Sequence, residues 1–222
     1  MPIELYWGSG SPYAWRVLLA LEYKRLPYTS HLLQFSKQEH KSPQMLAMNF
    51  RGRVPVLKDG DYVVFESVAI LYYLDQKYPD PPLFGRTPEE AGVVMRVICE
   101  YQAYAEPHVM RIARAFFSTQ PQPIRPDELA EAVQGIASEA RSIEGRLAHS
   151  DWVVGETLTA ADLVIYPSLQ LLLRTLKKQT AAELSSRFLP LEVQYPALSR
   201  WSARMEALPG YERTYPPHWL EK

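Results

Sequence analysis

The stretch IELYWGSGSPYAWRVLLALEYK, which runs from Ile3 to Lys24, predicts a strand that leads into a helix. IELYW is a short apolar run interrupted only by Glu4, and from Pro12 onward the apolar residues recur at helical spacing. Ser11 stands directly before Pro12. A serine at this position accepts a hydrogen bond from a first-turn amide, while the proline has no amide and its φ already suits a helix. The chain therefore presents a hydroxyl at a helix N-terminus.

The rest of the first third of the chain predicts a small mixed sheet covered by helices. YTSHLLQ (residues 28–34) predicts a second strand, and the βαβ arrangement makes it parallel to the first. VPVLK and DYVVF flank Asp59-Gly60, a dipeptide that favours a two-residue hairpin, so we expect an antiparallel pair. The segment ESVAILYYLDQKY then follows with apolar residues at helical spacing.

A change of composition after this segment marks a domain boundary. YPDPPLFGRTP contains four prolines and a glycine, so it cannot continue a helix and is typical of a linker. We therefore predict an α/β domain over residues 1–78, a linker over 79–87 and an all-α helical domain over 88–222.

Two capping boxes support the helical prediction for the second domain. Thr87-Pro88-Glu89-Glu90 opens a long helix that should run to about Phe117 with a kink at Pro107. Thr159 stands three residues before Asp162, so each side chain can reach the other's backbone amide at the start of another helix. We interpret the second motif as the start of a buried helix, with no catalytic or binding role.

Composition and charge exclude several classes of function. The 222 residues carry a net charge of -1, so the sequence shows no excess of basic residues that would predict binding to nucleic acid or an anionic membrane. The single cysteine, Cys99, permits no internal disulfide, and the five histidines show no ligand spacing, so we expect no metal. The N-terminus lacks a basic region followed by an apolar run, and no apolar stretch is long enough for a bilayer. These features predict a cytoplasmic protein.

A second helix N-terminus, at Glu66-Ser67, suits an α-amino acid head group. The free amides and the positive end of the helix dipole attract a carboxylate, while the Glu66 side chain attracts an amine. Capping alone explains these two residues equally well. Together with the hydroxyl of Ser11, they suggest a ligand site.

Residues before the hairpin could bind further parts of the same ligand. A cis bond at Val54-Pro55 would turn the backbone of Val54 outward to pair with an extended peptide, although sequence does not decide the isomer. His40, Lys41 and Arg53 offer cationic partners for a second carboxylate, although each alone fits a solvated polar face. The ligand inferred from these groups is a small acidic peptide.

Five motifs give the chain a specific resemblance. SPYAWRVLLAL, EHKSP, RGRVPVL, FESVAILYYLDQKYP and VGETLTAADLVIYPSL follow one another in the order and spacing of the glutathione transferase family. The pattern is most similar to the serine branch of the family, especially the plant phi and related bacterial types. The resemblance implies a thioredoxin-like N-terminal domain that binds glutathione, and an all-α C-terminal domain that helps form a pocket for an electrophile.

The resemblance also implies roles for individual residues. Ser11 matches the serine that hydrogen-bonds the glutathione sulfur, and Pro55 matches the family's cis-proline. Phe50 and Arg53 depart from the pattern, because the family more often has Pro and Gln or Lys there. The positions that match glutathione-binding residues are His40, Lys41 and Arg53 near the glycyl carboxylate, Val54 beside the cysteinyl unit, and Glu66 and Ser67 at the γ-glutamyl head.

A serine in place of a cysteine at position 11 favours stabilisation of a thiolate that the ligand brings. A cysteine there would suggest disulfide exchange, whereas a hydroxyl is a poor base and a good donor. Tyr6, Ser9 and Tyr13 are nearby alternatives for the sulfur contact, and we rank Ser11 first because its neighbour Pro12 fixes the match.

The electrophile pocket has a less specific signal. Tyr101, Tyr104, His108, Arg111 and Ala115 recur at three- and four-residue steps on the predicted long helix. Such a stripe is more often a core or subunit contact than a pocket. From it we take Tyr104, His108 and Arg111 as pocket candidates.

The resemblance therefore implies a cytoplasmic glutathione transferase, a homodimer, that adds the thiolate of its co-substrate glutathione to a small apolar electrophile. Two alternatives remain open at this point. One is a non-catalytic glutathione-binding or scaffold protein of the same fold. The other is a glutathione-dependent isomerase, peroxidase or dehalogenase.

Overall fold

A four-stranded mixed sheet forms the centre of the first unit of the chain. The computed structural model describes residues 2–117, 124–178 and 182–220. The strands are β1 (Ile3–Trp7), β2 (Tyr28–Leu32), β3 (Val56–Asp59) and β4 (Tyr62–Phe65), in the spatial order β2-β1-β3-β4. Strand β2 is parallel to β1, and β3 is antiparallel to both β1 and β4. The predicted mixed sheet is confirmed.

The hairpin turn lies one residue beyond the predicted dipeptide. Asp59 pairs with Tyr62, so Gly60 and Asp61 form the two-residue turn. Gly60 has a φ of 64°, a conformation that a residue with a side chain rarely adopts. The requirement for a positive φ therefore places Gly60 inside the turn.

Three helices complete the first unit around the sheet: α1 (Pro12–Tyr23), α2 (Pro43–Met48) and α3 (Ser67–Lys77). Most of α1 is buried, including Trp15 and Leu18. At its N-terminus the side chain of Ser11 accepts a hydrogen bond from the amide of Ala14 at 3.3 Å. Ser11 is therefore the N-cap, as the sequence predicts.

The C-terminal segment belongs to the first unit. The chain divides into two compact units, one with described residues 2–84 and 208–220 and the other with described residues of 85–207. The sequence-based boundaries placed all of 88–222 in the helical domain. Residues 208–220 join the first unit because the indole N–H of Trp15 donates to Thr214 Oγ1 at 2.8 Å and the Trp15 ring contacts Tyr215 edge-on. Such contacts are not visible in local sequence patterns.

The second unit is helical, with no strand among its described residues. No helix of the described chain is long and apolar enough to cross a membrane. The helices of the second unit are α4 (Pro88–Tyr104), α5 (Glu106–Phe117), α6 (Pro126–Leu147), α7 (Ala160–Leu176), α8 (Ala182–Phe188), α9 (Leu191–Gln194) and α10 (Pro196–Glu206); α11 (Tyr211–Thr214) belongs to the first unit.

The predicted long helix from Pro88 is divided in two. Helix α4 ends at Tyr104 and α5 begins at Glu106, with Ala105 between them. Pro107 has no amide to donate to the preceding turn, and the amides of His108 and Val109 both bond to the carbonyl of Ala105. The proline therefore causes a complete break where the sequence predicted a kink.

Asp162 is a fully buried carboxylate that holds the start of α7. It accepts hydrogen bonds from the amides of Val153 and Thr159, from the Thr159 hydroxyl and from the indole N–H of Trp201, at 2.8 to 3.0 Å. Burial raises the pKa of Asp162, while these donors favour its charged form. The predicted capping box is thus present, and Asp162 also bonds two further segments of the chain, through Val153 and through Trp201 in α10.

Replacing Asp162 with alanine should destabilise the protein by about 3 kcal/mol or more, because several buried donors would lose their acceptor. Urea denaturation measures the change. The matched control is Glu156→Ala, an exposed carboxylate ahead of the same helix, which should change stability by less than about 0.5 kcal/mol. Equal stability of the two variants would contradict this account of Asp162.

Candidate active site

The ends of β1 and β4 and the start of β3 lie at one edge of the sheet. Val56 at the start of β3 pairs with Tyr6 near the end of β1 and with Phe65 at the end of β4. Because β3 is antiparallel to both neighbours, β1 and β4 run in the same direction and end at the same edge. The loop after β1, the residues before β3 and the start of α3 therefore lie together at this edge.

Ser11 lies at this edge, at the N-terminus of α1. Its amide donates to the carbonyl of Gly8 at 3.1 Å, and its side-chain oxygen caps the helix through the amide of Ala14. A hydroxyl that accepts in this way still has its proton to donate. The half-buried Ser11 can therefore donate a hydrogen bond to an anion while the helix end adds its positive partial charge.

Glu66 and Ser67 form the N-terminus of α3 at the same edge. Glu66 has a φ of 71°, is exposed, and makes no side-chain capping bond. Ser67 is buried, and its hydroxyl accepts a hydrogen bond from the guanidinium of Arg16 at 3.2 Å. The fully buried Arg16, in α1, therefore joins the two helices whose N-termini face the site. Nothing in the local sequence marked Arg16, because its position on α1 is that of a core residue.

The Val54–Pro55 peptide bond is cis. Val54 is half-buried and lies two residues before the start of β3, the strand that pairs with both β1 and β4. The buried side chain of Asn49 donates to the carbonyl of Arg53 at 3.0 Å and accepts from the amide of Arg51 at 3.1 Å. Asn49 thus fixes the loop that leads to Val54. No motif in the sequence indicated this role, although both bonds are to residues within four positions of Asn49.

His40, Lys41 and Arg53 form a basic group beside this loop. A Cβ added to Gly52 would lie 3.2 Å from Cγ of Lys41 and 3.4 Å from the carbonyl of His40, so the two segments are in close contact. Burial lowers the pKa of His40, and the charges of Lys41 and Arg53 lower it further. Its Nδ1 is buried without a hydrogen-bond partner in the described chain. His40 is therefore neutral at neutral pH, and the positive charge comes from Lys41 and Arg53.

Two aromatic side chains flank the site. The ring of Phe35 lies so close to Gly8 that a Cβ at Gly8 would overlap it, and the same ring meets His40 edge-on. Phe50, one of the departures from the family pattern, is 70% exposed and meets Phe65 edge-on. No local pattern in the sequence marks Phe35, since its contact with Gly8 joins two loops that are distant in sequence.

Two alternatives for the sulfur contact are engaged elsewhere. The hydroxyl of Tyr6 donates to Glu4 at 3.0 Å, and its ring stacks on His31 at 4.4 Å between centroids. Burial, with the Glu4 carboxylate, raises the pKa of Tyr6. The hydroxyl of Ser9 shares a hydrogen bond with Nδ1 of His218 at 2.5 Å. Ser11 remains the candidate hydroxyl with the helix end behind it.

The three electrophile-pocket candidates have different surroundings. Arg111 forms an ion pair with Glu128, and the ring of His108 lies against Gly135, so both side chains contact α6. Tyr104, the last residue of α4, is 61% exposed. Within the second unit, a small apolar cavity of about 40 Å³ is lined by residues that include Tyr101, Ala105 and Val109. Because the helix breaks at Ala105, the predicted stripe does not continue along one helix face.

No group of three or more His, Cys, Asp or Glu side chains in the described chain is arranged to hold a metal ion. The arrangement at the sheet edge provides instead a hydroxyl, two helix N-termini, an exposed carboxylate and a basic group. Each of these suits an organic ligand that carries an amine and carboxylates.

Comparison with known proteins identifies the family. Residues 1–76 match the model of the glutathione S-transferase N-terminal domain, and residues 105–209 match that of the C-terminal domain. Glutathione S-transferase A of Pleuronectes platessa is 30% identical over 99% of this chain and 93% of its own. Maleylacetoacetate isomerase of Pseudomonas aeruginosa is 31% identical over 76% of this chain and 80% of its own.

The comparison of structures agrees with that of sequences. A crystal structure of a glutathione S-transferase from the Antarctic clam Laternula elliptica superposes with a TM-score of 0.83, at 32% identity, over 100% of this chain and 95% of the clam protein. The predicted fold class, a thioredoxin-like α/β domain with an all-α helical domain, is confirmed. The chain belongs to the glutathione S-transferase family.

Proposed function

We propose that this enzyme binds glutathione at the described edge of the sheet, ionises its thiol with the help of Ser11, and adds the thiolate to an apolar electrophile. The observation that carries the proposal is the position of the Ser11 hydroxyl at the N-terminus of α1, at the same sheet edge as the N-terminus of α3. The N-terminus of α1 then contacts the sulfur of the ligand, and the N-terminus of α3 contacts its amino acid head.

The energy required for ionisation matches what these groups can supply. A free thiol has a pKa of about 8.5, and lowering it by about two units requires about 2.7 kcal/mol of preference for the thiolate. A hydrogen bond to a charged group contributes about 1.5–3 kcal/mol, and a helix end about 0.3–1 kcal/mol. One hydroxyl and one helix N-terminus are therefore sufficient.

The second helix end supports recognition of the γ-glutamyl head. The exposed Glu66 carboxylate, which makes no capping bond, suits the amine of the ligand. The first-turn amides of α3 and the hydroxyl of Ser67 suit the α-carboxylate. Arg16 places a buried positive charge beside Ser67, which adds to the attraction for that carboxylate.

The remaining contacts follow the length of the tripeptide. The backbone of Val54 is assigned to the cysteinyl unit, because it precedes the central strand β3 at the sheet edge. Lys41 and Arg53 are assigned to the glycyl carboxylate as charged partners, and His40 as a neutral hydrogen-bonding group.

Other parts of the proposal rest on the family resemblance. We infer a homodimer of the serine branch, with residues of the helical domain, including Tyr104, His108 and Arg111, contributing to the electrophile pocket. Of these three, Tyr104 is the most exposed and is the first to test. The single exposed Cys99, without a disulfide, supports a location in the reducing cytoplasm.

A glutathione-dependent isomerisation is the second candidate function. The similarity to a maleylacetoacetate isomerase over most of the chain favours it. Both reactions begin with the same thiolate, so product analysis with an aryl halide and with a cis-olefinic diketo acid separates them. Binding of glutathione without turnover of any electrophile would favour the non-catalytic alternative.

Replacing Ser11 with alanine should raise the pKa of enzyme-bound glutathione by about one to two units, because the thiolate loses its charge-assisted hydrogen bond. Ultraviolet absorption of the thiolate across a pH titration measures the shift. Ser138→Ala, an exposed serine on α6, is the control and should titrate as the wild type does. An unchanged titration in Ser11→Ala would remove Ser11 from the mechanism.

The affinity for glutathione should rise about two- to fivefold as the pH falls below 6.5, the size of an exposed ion pair. The neutral His40, whose pKa is lowered in the free enzyme, gains a proton more readily when a carboxylate binds beside it. Calorimetric titration at several pH values measures the change. The rise should vanish in His40→Gln and persist in His149→Gln, an exposed histidine of the second unit. A rise of equal size in both variants would contradict the role of His40.

A further inference from the structure

The C-terminal segment is attached to α1 by aromatic contacts and one buried hydrogen bond. Thr214 accepts from the indole N–H of Trp15, and the rings of Tyr215 and Trp219 each meet Trp15 nearly at right angles, at 5.6 and 5.5 Å between centroids. Trp15 is 2% exposed and Thr214 is buried, while Tyr215 and Trp219 are half-buried against Trp15. The segment therefore has a fixed position relative to α1.

This fixed segment brings His218 to the loop that precedes Ser11. His218 Nδ1 lies 2.5 Å from Ser9 Oγ, a hydrogen bond between residues separated by 209 positions in sequence. A Cβ added to Gly10 would lie 2.7 Å from Cε1 of His218 and 3.3 Å from Nε1 of Trp219. Gly10, with a φ of 80°, is thus held against the two rings in a conformation that favours glycine.

The composition of the loop gives its backbone a freedom that contacts with other segments limit. Two of its four residues, Gly8 to Ser11, are glycines, which have the greatest backbone freedom of any residue. The strength of a hydrogen bond falls steeply when its distance and angle change. Free movement of this loop would therefore weaken the bond between the Ser11 hydroxyl and a thiolate.

We propose that His218 is a positioning residue for thiol ionisation: by bonding Ser9 and contacting Gly10, it holds the Gly8–Ser11 loop so that the Ser11 hydroxyl stays directed at the sulfur. The inference rests on the proposed function, in which Ser11 stabilises the thiolate. The groups assigned to the rest of the tripeptide lie outside this loop. Loss of the bond should therefore affect ionisation more than affinity.

The test compares His218→Ala, Ser9→Ala and the double variant with the wild type. Each single variant should raise the pKa of bound glutathione by about half a unit, which is about a threefold loss of thiolate below that pKa. The dissociation constant for glutathione, measured well below the thiol pKa, should change less than twofold. The double variant should be no worse than either single variant, because both remove the same bond.

A conservative variant and a control separate positioning from general damage to the segment. His218→Asn retains a hydrogen-bonding atom near the place of Nδ1 and should recover most of the thiolate. The control is Leu220→Ala, an exposed residue of the same segment, which should behave as the wild type. No recovery in the asparagine variant, or an unchanged thiol pKa in both Ser9→Ala and His218→Ala, would overturn the proposal.

Hydrogen exchange of the loop tests the attachment without glutathione. The amide of Ser11 donates to Gly8, so its exchange rate reports the order of the loop. The rate should rise about tenfold in His218→Ala and in Ser9→Ala but not in Leu220→Ala. If the wild type fails to bind glutathione, the proposed function fails while this measurement still decides whether the attachment exists. If the wild type ionises glutathione and exchange is the same in all variants, this inference alone fails.

Discussion

The antiparallel pairing of β3 with both β1 and β4 is the constraint on which the site depends. Because β3 lies between the two strands and runs opposite to each, β1 and β4 must end at one edge of the sheet. Each is followed by a helix, so two positive helix ends meet at the same place. The residues before β3 necessarily arrive there as well. The sheet therefore brings two helix N-termini and the loop before β3 together at one edge.

Buried polar side chains then fix what the sheet brings together. Arg16 joins α1 to α3 through the Ser67 hydroxyl, and Asn49 holds the loop before β3 through its backbone. A buried donor or acceptor without a partner is costly, so each of these bonds is difficult to rearrange. The hydroxyl of Ser11 can be effective for the same reason, since an oriented donor at a helix end needs no reorganisation when a charge arrives.

In the proposed complex, different charges of the site meet different parts of the ligand. The thiol would face a neutral donor and a helix dipole, the amino acid head would face an acidic and a basic group, and the far carboxylate would face Lys41 and Arg53. The lowered pKa of His40 is a consequence of this crowding, because burial and two neighbouring cations disfavour a third positive charge. The C-terminal segment adds a further element, since it packs on α1 and reaches the loop that carries the hydroxyl.

The sequence by itself determined the four strands and the starts of α1, α3, α4 and α7, because these depend on local patterns. The site residues that it indicated remain predictions. Ser11 before Pro12, the turn glycine and the Thr159–Asp162 capping box are interactions between residues a few positions apart. The sequence did not determine whether the helix from Pro88 is kinked or broken at Ala105. It also did not determine the contacts of His108 and Arg111 with α6, or the bond between Arg16 and Ser67. Nor could it place residues 208–220 with the first unit, or His218 beside Ser9. Those outcomes depend on which surfaces meet after the chain has folded. The packing of Trp15 against the C-terminal aromatic rings stabilises the first unit, and no local sequence pattern indicates that these residues meet.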